Sequence, residues 1–463
     1  MTVRTVIANA EVDGRRLAVV IEDGRIVELA EHVDVSGAEV IDALGGALLP
    51  GLHDHHVHLL GMAARREGVN LDELADELAV NDALRSAAES VGDGWVRASG
   101  YDEHRHGALD RARLDSLVGG TKVRVQHRSG LAWVLSSAGL DEVCRGDVPE
   151  GVERDERGQP TGRLLRLDSW LAERVGTSAP SVDAVGIELA SFGITGVTDA
   201  TPNLGGGRLE LLRHATTSGA LPQRLTVLGV ADDDRAALKG WATMGPAKLL
   251  IDEVIALDPE AVAHEIAAHH RSGRAVAIHA VSRVETVTAV TALSLAGMIP
   301  GDRIEHGSVL PSDLDAALAA GGVTVIVQPG LVYERGDHYL DAVDAEDFAC
   351  LHRAASLLNA GVRVAAGSDA PVTSVDPWRA IAAASNRLTR NGARLGTDEN
   401  VSASTALGWY LTDPLDPGGP IRRLRVGAPA DLCLLDAPLQ SVLEEPDASH
   451  VQMTWVGGRL VHS

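Results

Sequence analysis

Residues 50–58 read Pro-Gly-Leu-His-Asp-His-His-Val-His and directly follow a short apolar run. In an extended strand, side chains two positions apart point to the same face. His56 and His58 can therefore direct their imidazoles to one point, which is the arrangement that a metal ion requires. This stretch predicts a strand over about 47–53 that ends at a metal site, and later histidines at strand-like ends strengthen that interpretation.

The composition is that of a large, acidic, globular protein. The chain has 463 residues, of which 45% are apolar, and a formal net charge of −24. This length predicts one large domain with an appendage, or two to three domains. The negative charge disfavours nucleic acid and membrane surfaces as partners. Three scattered cysteines do not suggest a disulfide framework, and no apolar run has the length of a membrane span, so we expect a cytoplasmic protein.

The middle of the chain alternates strand-like and helical segments. Helical stretches include Pro259–Ser272 and Arg283–Ala296. The strand-like runs lie at about 47–53, 122–127, 194–199, 247–252, 274–279, 302–306, 322–328 and 362–368. Strands alternating with helices in this way predict an α/β fold, a (β/α)8 TIM barrel, with an open doubly wound sheet as the alternative.

Both ends of the chain have a different pattern, with short β-rich runs separated by turn residues such as Asp13-Gly14. We expect residues 1–48 and 424–463 to pair in one small β domain. Residues 49–423 would then form the barrel domain. The stretch from about 60 to 120 is long for one crossover, so we expect it to carry an insertion over the barrel mouth.

Residues with metal-binding chemistry recur at the ends of the predicted strands. The active site of a TIM barrel lies at the C-terminal ends of its strands. Lys248 opens the fourth strand, whereas His53 and His55 alternate with the histidine pair and should point away from the metal. The residues at the strand ends are His56, His58, His279, His306 and Asp369. Such a set suits Zn²⁺, and also Mn²⁺, Co²⁺ or Ni²⁺.

Several segments together resemble the amidohydrolase superfamily, and within it the amidohydrolase family 3, or YtcJ-like metal-dependent hydrolases. The resemblance implies a TIM barrel flanked by a β-sandwich built from both termini, with one or two divalent metals held by the strand-end residues. It also implies that Lys248, carboxylated on its amine, bridges the metals of a binuclear centre. The segments that carry the resemblance are 49–59, 193–200, 303–307, 327–329, 367–372 and 427–432.

The expected chemistry is hydrolysis by metal-activated water, with Asp369 as general base and then general acid. The leading hypothesis is cleavage of a C–N bond in an amide, formamide, carbamate or urea-like small molecule. Hydrolysis of an ester, lactone or phosphoester is the alternative, and a non-catalytic scaffold is a third. Superfamily relatives suggest a homo-oligomer by analogy alone. The candidate substrate contacts, each equally compatible with a structural role, are Arg128, Gln328, Tyr333 and Tyr101.

Overall fold

A computed structural model describes residues 4–175, 180–251 and 257–463 of the chain. The chain divides into two compact units, one formed by Met1–Leu59 with Val182–Ser463 and the other by Leu60–Ser181. Within the described ranges, no helix combines the length and the apolar character needed to cross a membrane.

The secondary structure confirms the α/β class. In the described segments the strands are β1 (Thr5–Val12), β2 (Arg15–Glu22), β3 (Arg25–Ala30), β4 (Glu39–Asp42), β5 (Leu48–Pro50), β6 (Leu52–Val57), β7 (Val69–Asn70), β8 (Trp95–Tyr101), β9 (Lys122–His127), β10 (Ala132–Leu135), β11 (Val152–Arg154), β12 (Pro160–Leu165), β13 (Ile194–Asp199), β14 (Arg224–Val227), β15 (Ala242–Met244), β16 (Ala247–Leu250), β17 (Val276–Ala280), β18 (Arg303–His306), β19 (Thr324–Val327), β20 (Arg363–Ala366), β21 (Leu432–Leu435), β22 (Val451–Val456) and β23 (Arg459–His462). The helices are α1 (Leu59–Arg66), α2 (Glu77–Ser90), α3 (Glu103–His106), α4 (Arg111–Val118), α5 (Ser137–Val143), α6 (Asp168–Val175), α7 (Asp183–Ser191), α8 (Gly206–Ser218), α9 (Pro259–Arg271), α10 (Arg283–Ala296), α11 (Asp315–Gly321), α12 (Gly330–Ala342), α13 (Ala345–Phe348), α14 (Ala355–Asn359), α15 (Pro377–Asn386), α16 (Ala403–Trp409) and α17 (Leu439–Glu444).

The strands near the two termini form two four-stranded sheets. One has the order β3-β2-β1-β4, and the other has the order β23-β22-β21-β5. Asp13 and Asp23 adopt positive φ angles of 48° in the tight turns that were predicted there. Side chains from both sheets share one hydrophobic core, which includes Ile7, Ile26 and Trp455. The described residues near the two termini are thus packed together by burial of apolar surface.

The strands that carry the candidate site are parallel and lie in two sheets. Their orders are β15-β14-β13-β6 and β16-β17-β18-β19-β20. Every residue of β18 and of β19 is buried, as expected of parallel strands covered on both faces. The two sheets are linked by an isolated parallel bridge. It joins Val57, the last residue of β6, to Ala370, which follows β20.

Two predicted helices of this unit are confirmed, and their caps explain their start points. The helix α9 begins after Asp258, whose side chain accepts a hydrogen bond from the N–H of Glu260, and Pro259 occupies the first turn. The helix α10 begins with a capping box between Ser282 and Glu285. Each helix connects two neighbouring parallel strands, as the alternating pattern indicated.

The second predicted barrel strand was assigned wrongly. Residues Lys122–His127 do form a strand, but β9 pairs with β8 and β10 in the other unit. The place beside β6 belongs to β13, and β14, which the sequence analysis did not identify, follows it. The residues of β9 have a strand-like pattern, but this pattern does not show which strands β9 pairs with, because pairing depends on contacts that are distant in sequence.

Two further strand boundaries differ from the prediction. The run at about 47–53 is split into β5, which pairs antiparallel with β21, and β6, which pairs parallel with β13. His56 therefore lies on a strand and not after one. The predicted strand over 247–252 is seen as β16, and its predicted last residue, Asp252, lies outside the described residues.

The unit from Leu60 to Ser181 is longer than the insertion expected over about 60–120. It contains a mixed six-stranded sheet with the order β11-β12-β10-β9-β8-β7. One core includes Leu84 and Val125, and a second core includes Trp133 and Leu164. This unit therefore buries its own apolar side chains on both faces of its sheet.

Candidate metal centre

The parallel strands bring the predicted histidines together at their C-terminal ends. The ring centroids of His56 and His58 are 5.3 Å apart, and those of His56 and His306 are 4.7 Å apart. The ring of His279 lies 4.6 Å from that of His306. These imidazoles come from β6, β17 and β18 and from the residue just after β6. The alternation rule applied to β6 thus places His56 and His58 in one cluster, as expected.

Asp369, which follows β20, completes the cluster. Its Oδ1 lies 3.2 Å from Nε2 of His58 and 3.5 Å from Nε2 of His56, and its Oδ2 lies 3.9 Å from Nδ1 of His306. His56, His306 and Asp369 each offer a ligand atom within 4.8 Å of the others. Imidazole nitrogens with a carboxylate oxygen are the donor set of a zinc-type site.

One atom gives a direct test of whether a metal fits. The Nε2 atom of His56 is buried and has no hydrogen-bond partner among the described residues. A buried polar atom without a partner loses the free energy of its hydration. Because this nitrogen faces Asp369 within the histidine cluster, a metal ion at that position would satisfy it. The residues present therefore fit a divalent metal.

An unusual backbone conformation places two of these side chains. His306 has φ 74° and Asp369 has φ 56°, which is the left-handed region that non-glycine residues avoid at a cost of about 1 kcal/mol. Simple alternation would direct Glu305 and His306 to opposite faces of β18. The left-handed turn at His306 lets both side chains reach His56. Such strain is found chiefly where a site needs it.

A glycine allows β20 to approach β6 at this point. A Cβ atom at Gly367 would lie 2.5 Å from the backbone nitrogen of His56. Two backbone hydrogen bonds follow directly after this contact. The N–H of Asp369 donates to the carbonyl of His56 at 2.8 Å, and the N–H of His58 donates to the carbonyl of Ala370 at 2.8 Å. The close approach therefore sets the distance between His56 and His58 on one side and Asp369 on the other.

Burial and neighbouring charges keep these groups in the forms that bind metals. Burial, together with the charge of Lys248, lowers the pKa of His56 to about 3. Burial and the neighbouring His306 lower the pKa of His279 in the same direction. Burial alone would raise the pKa of Asp369, but the hydrogen bond from His58 and the nearby imidazoles hold it below its usual range. Neutral imidazoles and an ionised carboxylate are what metal binding requires.

Lys248 lies in β16, and its Nζ atom is buried although the residue as a whole is partly exposed. The amine has no hydrogen-bond partner among the residues that the structure describes. Burial lowers its pKa, while the charges of Glu305 and Asp369 act in the opposite direction. In addition to burial, the charge of Lys248 in turn lowers the pKa of His56 and of His279, and its role as a metal ligand stays a prediction.

Glu305 is a member of the site that the sequence analysis did not identify. Its Oε2 contacts Nδ1 of His56, and its Oε1 accepts a hydrogen bond from Nε of Arg303 at 2.5 Å. Burial would raise the pKa of Glu305, but the positive charge of Arg303 holds it well below its usual value. The motif Arg-Ile-Glu-His contained a signal for the ion pair, because Arg303 and Glu305 share one face of β18, but none for the contact with His56.

Gln328, one of the predicted substrate contacts, lies at the site but is engaged with a histidine. Its Oε1 is 3.0 Å from Nδ1 of His306, and its Nε2 donates to the carbonyl of Ile326 at 2.9 Å. His58 has a comparable partner, because its Nδ1 is 3.2 Å from Oγ1 of Thr201. Gln328 and Thr201 therefore each hold one imidazole through its Nδ1 atom, which leaves the Nε2 atom of that ring for another partner.

The other three predicted substrate contacts are placed differently. Tyr333 lies in α12, where the guanidinium of Arg379 is 5.6 Å from its ring centroid. Tyr101 and Arg128 belong to the unit formed by Leu60–Ser181. Arg128 forms an ion pair with Asp102 there. Arg128 directly follows the run at 122–127 that was predicted as the second barrel strand, and this run belongs to another sheet.

His53 and His55 point away from the cluster, as the alternation predicted. Nε2 of His53 lies 2.8 Å from Oγ1 of Thr198, and Nε2 of His55 lies 2.9 Å from Oγ1 of Thr412. Burial lowers the pKa of both imidazoles well below the usual value. They are neutral, hydrogen-bonded core residues.

The histidines and Asp369 thus form a candidate metal site at the C-terminal ends of parallel strands, as in metal-binding α/β proteins. The sequence profile of the amidohydrolase family matches residues 39–462, and the chain belongs to this family. The resemblance noted from the motifs is thereby confirmed.

Two relatives and one solved structure extend this result. The chain is 27% identical to the N-substituted formamide deformylase of Arthrobacter pascens, over 96% of this chain and 94% of that protein. It is 24% identical to the putative amidohydrolase YtcJ of Bacillus subtilis (strain 168), over 86% and 85% of the two chains. An uncharacterized metal-dependent hydrolase from Pyrococcus horikoshii OT3 has the same fold, with a TM-score of 0.75 at 18% identity, over 94% and 97% of the chains.

Proposed function

We propose that this protein is a metal-dependent hydrolase that cleaves a C–N bond in an amide, formamide, carbamate or urea-like small molecule. The observation that carries the proposal is the cluster of His56, His306 and Asp369, whose ligand atoms lie within 4.8 Å of one another. Membership of the amidohydrolase family supports it, as does the similarity to a formamide deformylase along nearly the whole chain.

We further infer that the two parallel sheets belong to one TIM barrel and that the two terminal sheets form a β-sandwich. Two junctions support the barrel. The strands β15 and β16 are separated only by Gly245 and Pro246, and Val57 at the end of β6 forms a parallel bridge with Ala370 in the segment that follows β20. The shared core of the terminal sheets supports the sandwich.

In this proposal the residues at the strand ends hold one or two divalent ions, with zinc as the foremost candidate and manganese, cobalt or nickel as alternatives. Lys248 joins them only in a binuclear centre. An ammonium group has no lone pair to donate, so the lysine would bind as a carboxylated amine, which offers anionic oxygens. Its buried Nζ, without a partner among the described residues, supports this role. The proposed ligands are His56, His58, His279, His306, Asp369 and carboxylated Lys248.

The bound metal supplies a water of lowered pKa and polarises the scissile carbonyl. The protein's own groups then handle the proton. Asp369 lies in the cluster, with its Oδ1 3.2 Å from Nε2 of His58, and in this proposal its carboxylate accepts a proton from the attacking water and returns it to the departing nitrogen. His279 is a neutral imidazole next to His306, where a ring N–H can hold the substrate oxygen if a single metal is bound.

Metal content and turnover test the proposal together. Protein purified without chelator or nickel is analysed by plasma mass spectrometry and then assayed with one arylamine presented as formamide, acetamide, carbamate and urea. The matching phenol is presented as an ester and as a phosphoester. About one or two metal equivalents with turnover of a C–N substrate support the proposal.

Each other outcome has its own meaning. Turnover of the ester or phosphoester alone would assign the alternative chemistry to the same site. Metal binding without turnover of any substrate in the panel would favour the non-catalytic scaffold. A chain that neither contains metal nor takes up Zn²⁺ or Mn²⁺ would refute the hydrolase proposal.

A further inference from the structure

We propose that Glu305 is a positioning residue that fixes the tautomer of His56, and that Arg303 in turn holds Glu305 in place. This inference rests on the proposed function, because it assigns the second nitrogen of His56 to a metal. It adds two residues to the site that act through a ligand and do not themselves bind the metal.

The contacts form one continuous chain from Arg303 to the histidine cluster. Nε of Arg303 donates to Oε1 of Glu305 at 2.5 Å, and the other carboxylate oxygen contacts Nδ1 of His56. A terminal nitrogen of Arg303 also donates to the carbonyl of His55 at 3.2 Å. The side chains of Arg303, Glu305 and His56 are all fully buried. Water therefore does not compete for these hydrogen bonds.

The chemistry of the partners determines which nitrogen of His56 carries hydrogen. An ionised carboxylate only accepts hydrogen bonds, so Glu305 selects the tautomer with hydrogen on Nδ1. The lone pair of a neutral imidazole is then on Nε2. That atom is directed towards Oδ1 of Asp369, 3.5 Å away, and has no hydrogen-bond partner among the described residues. The free lone pair is thus presented to the proposed metal.

Apart from the contacts with Asp369, the partners of two other proposed ligands, His58 and His306, are neutral. His58 has the hydroxyl of Thr201, which can donate or accept, and His306 has the amide of Gln328. A carboxylate makes the stronger, charge-assisted hydrogen bond and increases the basicity of the imidazole it holds. Of these three ligands, His56 is therefore the one whose orientation and tautomer are fixed by a charge.

Arg303 explains how this charge is tolerated in the core. Burial of an isolated carboxylate is very unfavourable, but an ion pair with good geometry offsets much of that cost. Arg303 and Glu305 are two positions apart on β18 and therefore lie on the same face. Arg303 also donates to the backbone carbonyl of His55 in β6, a strand of the other parallel sheet. The ion pair thus fixes the carboxylate relative to the strand that carries His56.

The substitution Glu305→Gln tests the inference with little change in size. The amide of glutamine can donate as well as accept, so it no longer enforces one tautomer. Two measurements apply. The affinity for Zn²⁺, determined by competition with a chelator, should fall about 10- to 100-fold, as is typical when the partner of a metal-binding histidine is removed. Nitrogen NMR of the metal-free protein, with His56 assigned by its own substitution, reports the tautomer directly.

Asp302→Asn provides a matched control. Asp302 is also a fully buried carboxylate next to a histidine, because its Oδ1 lies 3.0 Å from Nε2 of His270. The control should lower stability but leave the affinity for Zn²⁺ and the tautomer of His56 unchanged. A merely structural role for Glu305 would give the same result as this control.

The outcomes separate this inference from the proposed function. In the wild-type metal-free protein, hydrogen on Nδ1 of His56 is expected, and hydrogen on Nε2 would overturn the inference whether or not any variant folds. Unchanged affinity for Zn²⁺ in Glu305→Gln would overturn it as well. If the wild type bound no metal at all but carried hydrogen on Nδ1, the proposed function would fail while the tautomer assignment would stand.

Discussion

Replacing Gly367 by alanine tests how closely the first and last parallel strands must approach. The added Cβ would lie 2.5 Å from the backbone nitrogen of His56, 2.6 Å from its Cβ and 2.9 Å from its Cα. None of these atoms can rotate away, because two belong to the backbone and the third is the first atom of a fully buried side chain. The strands themselves must separate.

The size of the effect follows from these distances. Ordinary contact begins at 3.4 Å, so the strands would have to part by about 1 Å in a close-packed interior. Hydrogen bonds of 2.8 Å from Asp369 to His56 and from His58 to Ala370 oppose this movement. Overpacking of this kind costs about 1–3 kcal/mol. The same movement would pull Asp369 away from His56, so affinity for the metal should fall as well.

The assay combines chemical unfolding of the metal-free protein with measurement of Zn²⁺ affinity. Gly207→Ala is the matched control, since Gly207 lies in α8 and a Cβ there meets nothing within 4 Å. The control should be neutral or more stable by about 0.5–1 kcal/mol, because alanine favours a helix. If Gly367→Ala kept both the free energy of unfolding and the Zn²⁺ affinity of the wild type, the role assigned to this close approach would be wrong.

Three further predictions concern the site itself. Asp369→Asn should leave the circular dichroism spectrum unchanged and lower kcat by about 10²–10⁴-fold, because the base is lost; near-native kcat would contradict its role. Replacing His56 and His58 together by alanine should abolish binding of Zn²⁺ in equilibrium dialysis, and full occupancy would contradict their assignment as ligands. Burial raises the pKa of Asp54 to about 6, so the folded state binds its proton more tightly than the unfolded chain and this group loses stabilising free energy as pH rises from about 4 to 6. The side chain accepts hydrogen bonds from the N–H groups of His56 and Ser368 at 3.0 Å, and an asparagine oxygen can accept both. In the metal-free protein, the free energy of unfolding of Asp54→Asn, relative to that of the wild type, should therefore be about 2 kcal/mol higher at pH 8 than at pH 4. Chemical unfolding at the two pH values measures this difference. An equal difference between variant and wild type at both pH values would contradict the prediction.

The histidine cluster could be predicted from the sequence because it depends on spacing along single strands. His56 and His58 lie two positions apart on a strand, and the C-terminal ends of parallel strands share one edge of a sheet. The sequence did not predict which strand lies beside β6. The residues of β9 and of β13 are both strand-like, and the choice between them depends on contacts far apart in the chain.

Glu305 could not be assigned for a different physical reason. Alternation along β18 separates it from His306, so a prediction that places His306 in the site directs Glu305 away from it. The positive φ of His306 breaks that rule at one residue. No property of histidine favours this conformation strongly enough to reveal it in a sequence, because tertiary contacts impose it.

The division of the chain into two units has a consequence for how such an enzyme can diversify. Every proposed metal ligand lies in the unit formed by Met1–Leu59 and Val182–Ser463, and the unit formed by Leu60–Ser181 contains none of them. That intervening unit has hydrophobic cores of its own. Mutations there can accumulate, or the whole segment can be exchanged, without displacing a ligand. Selection on the surface of the intervening unit and selection on the proposed metal ligands can therefore act on separate stretches of the gene.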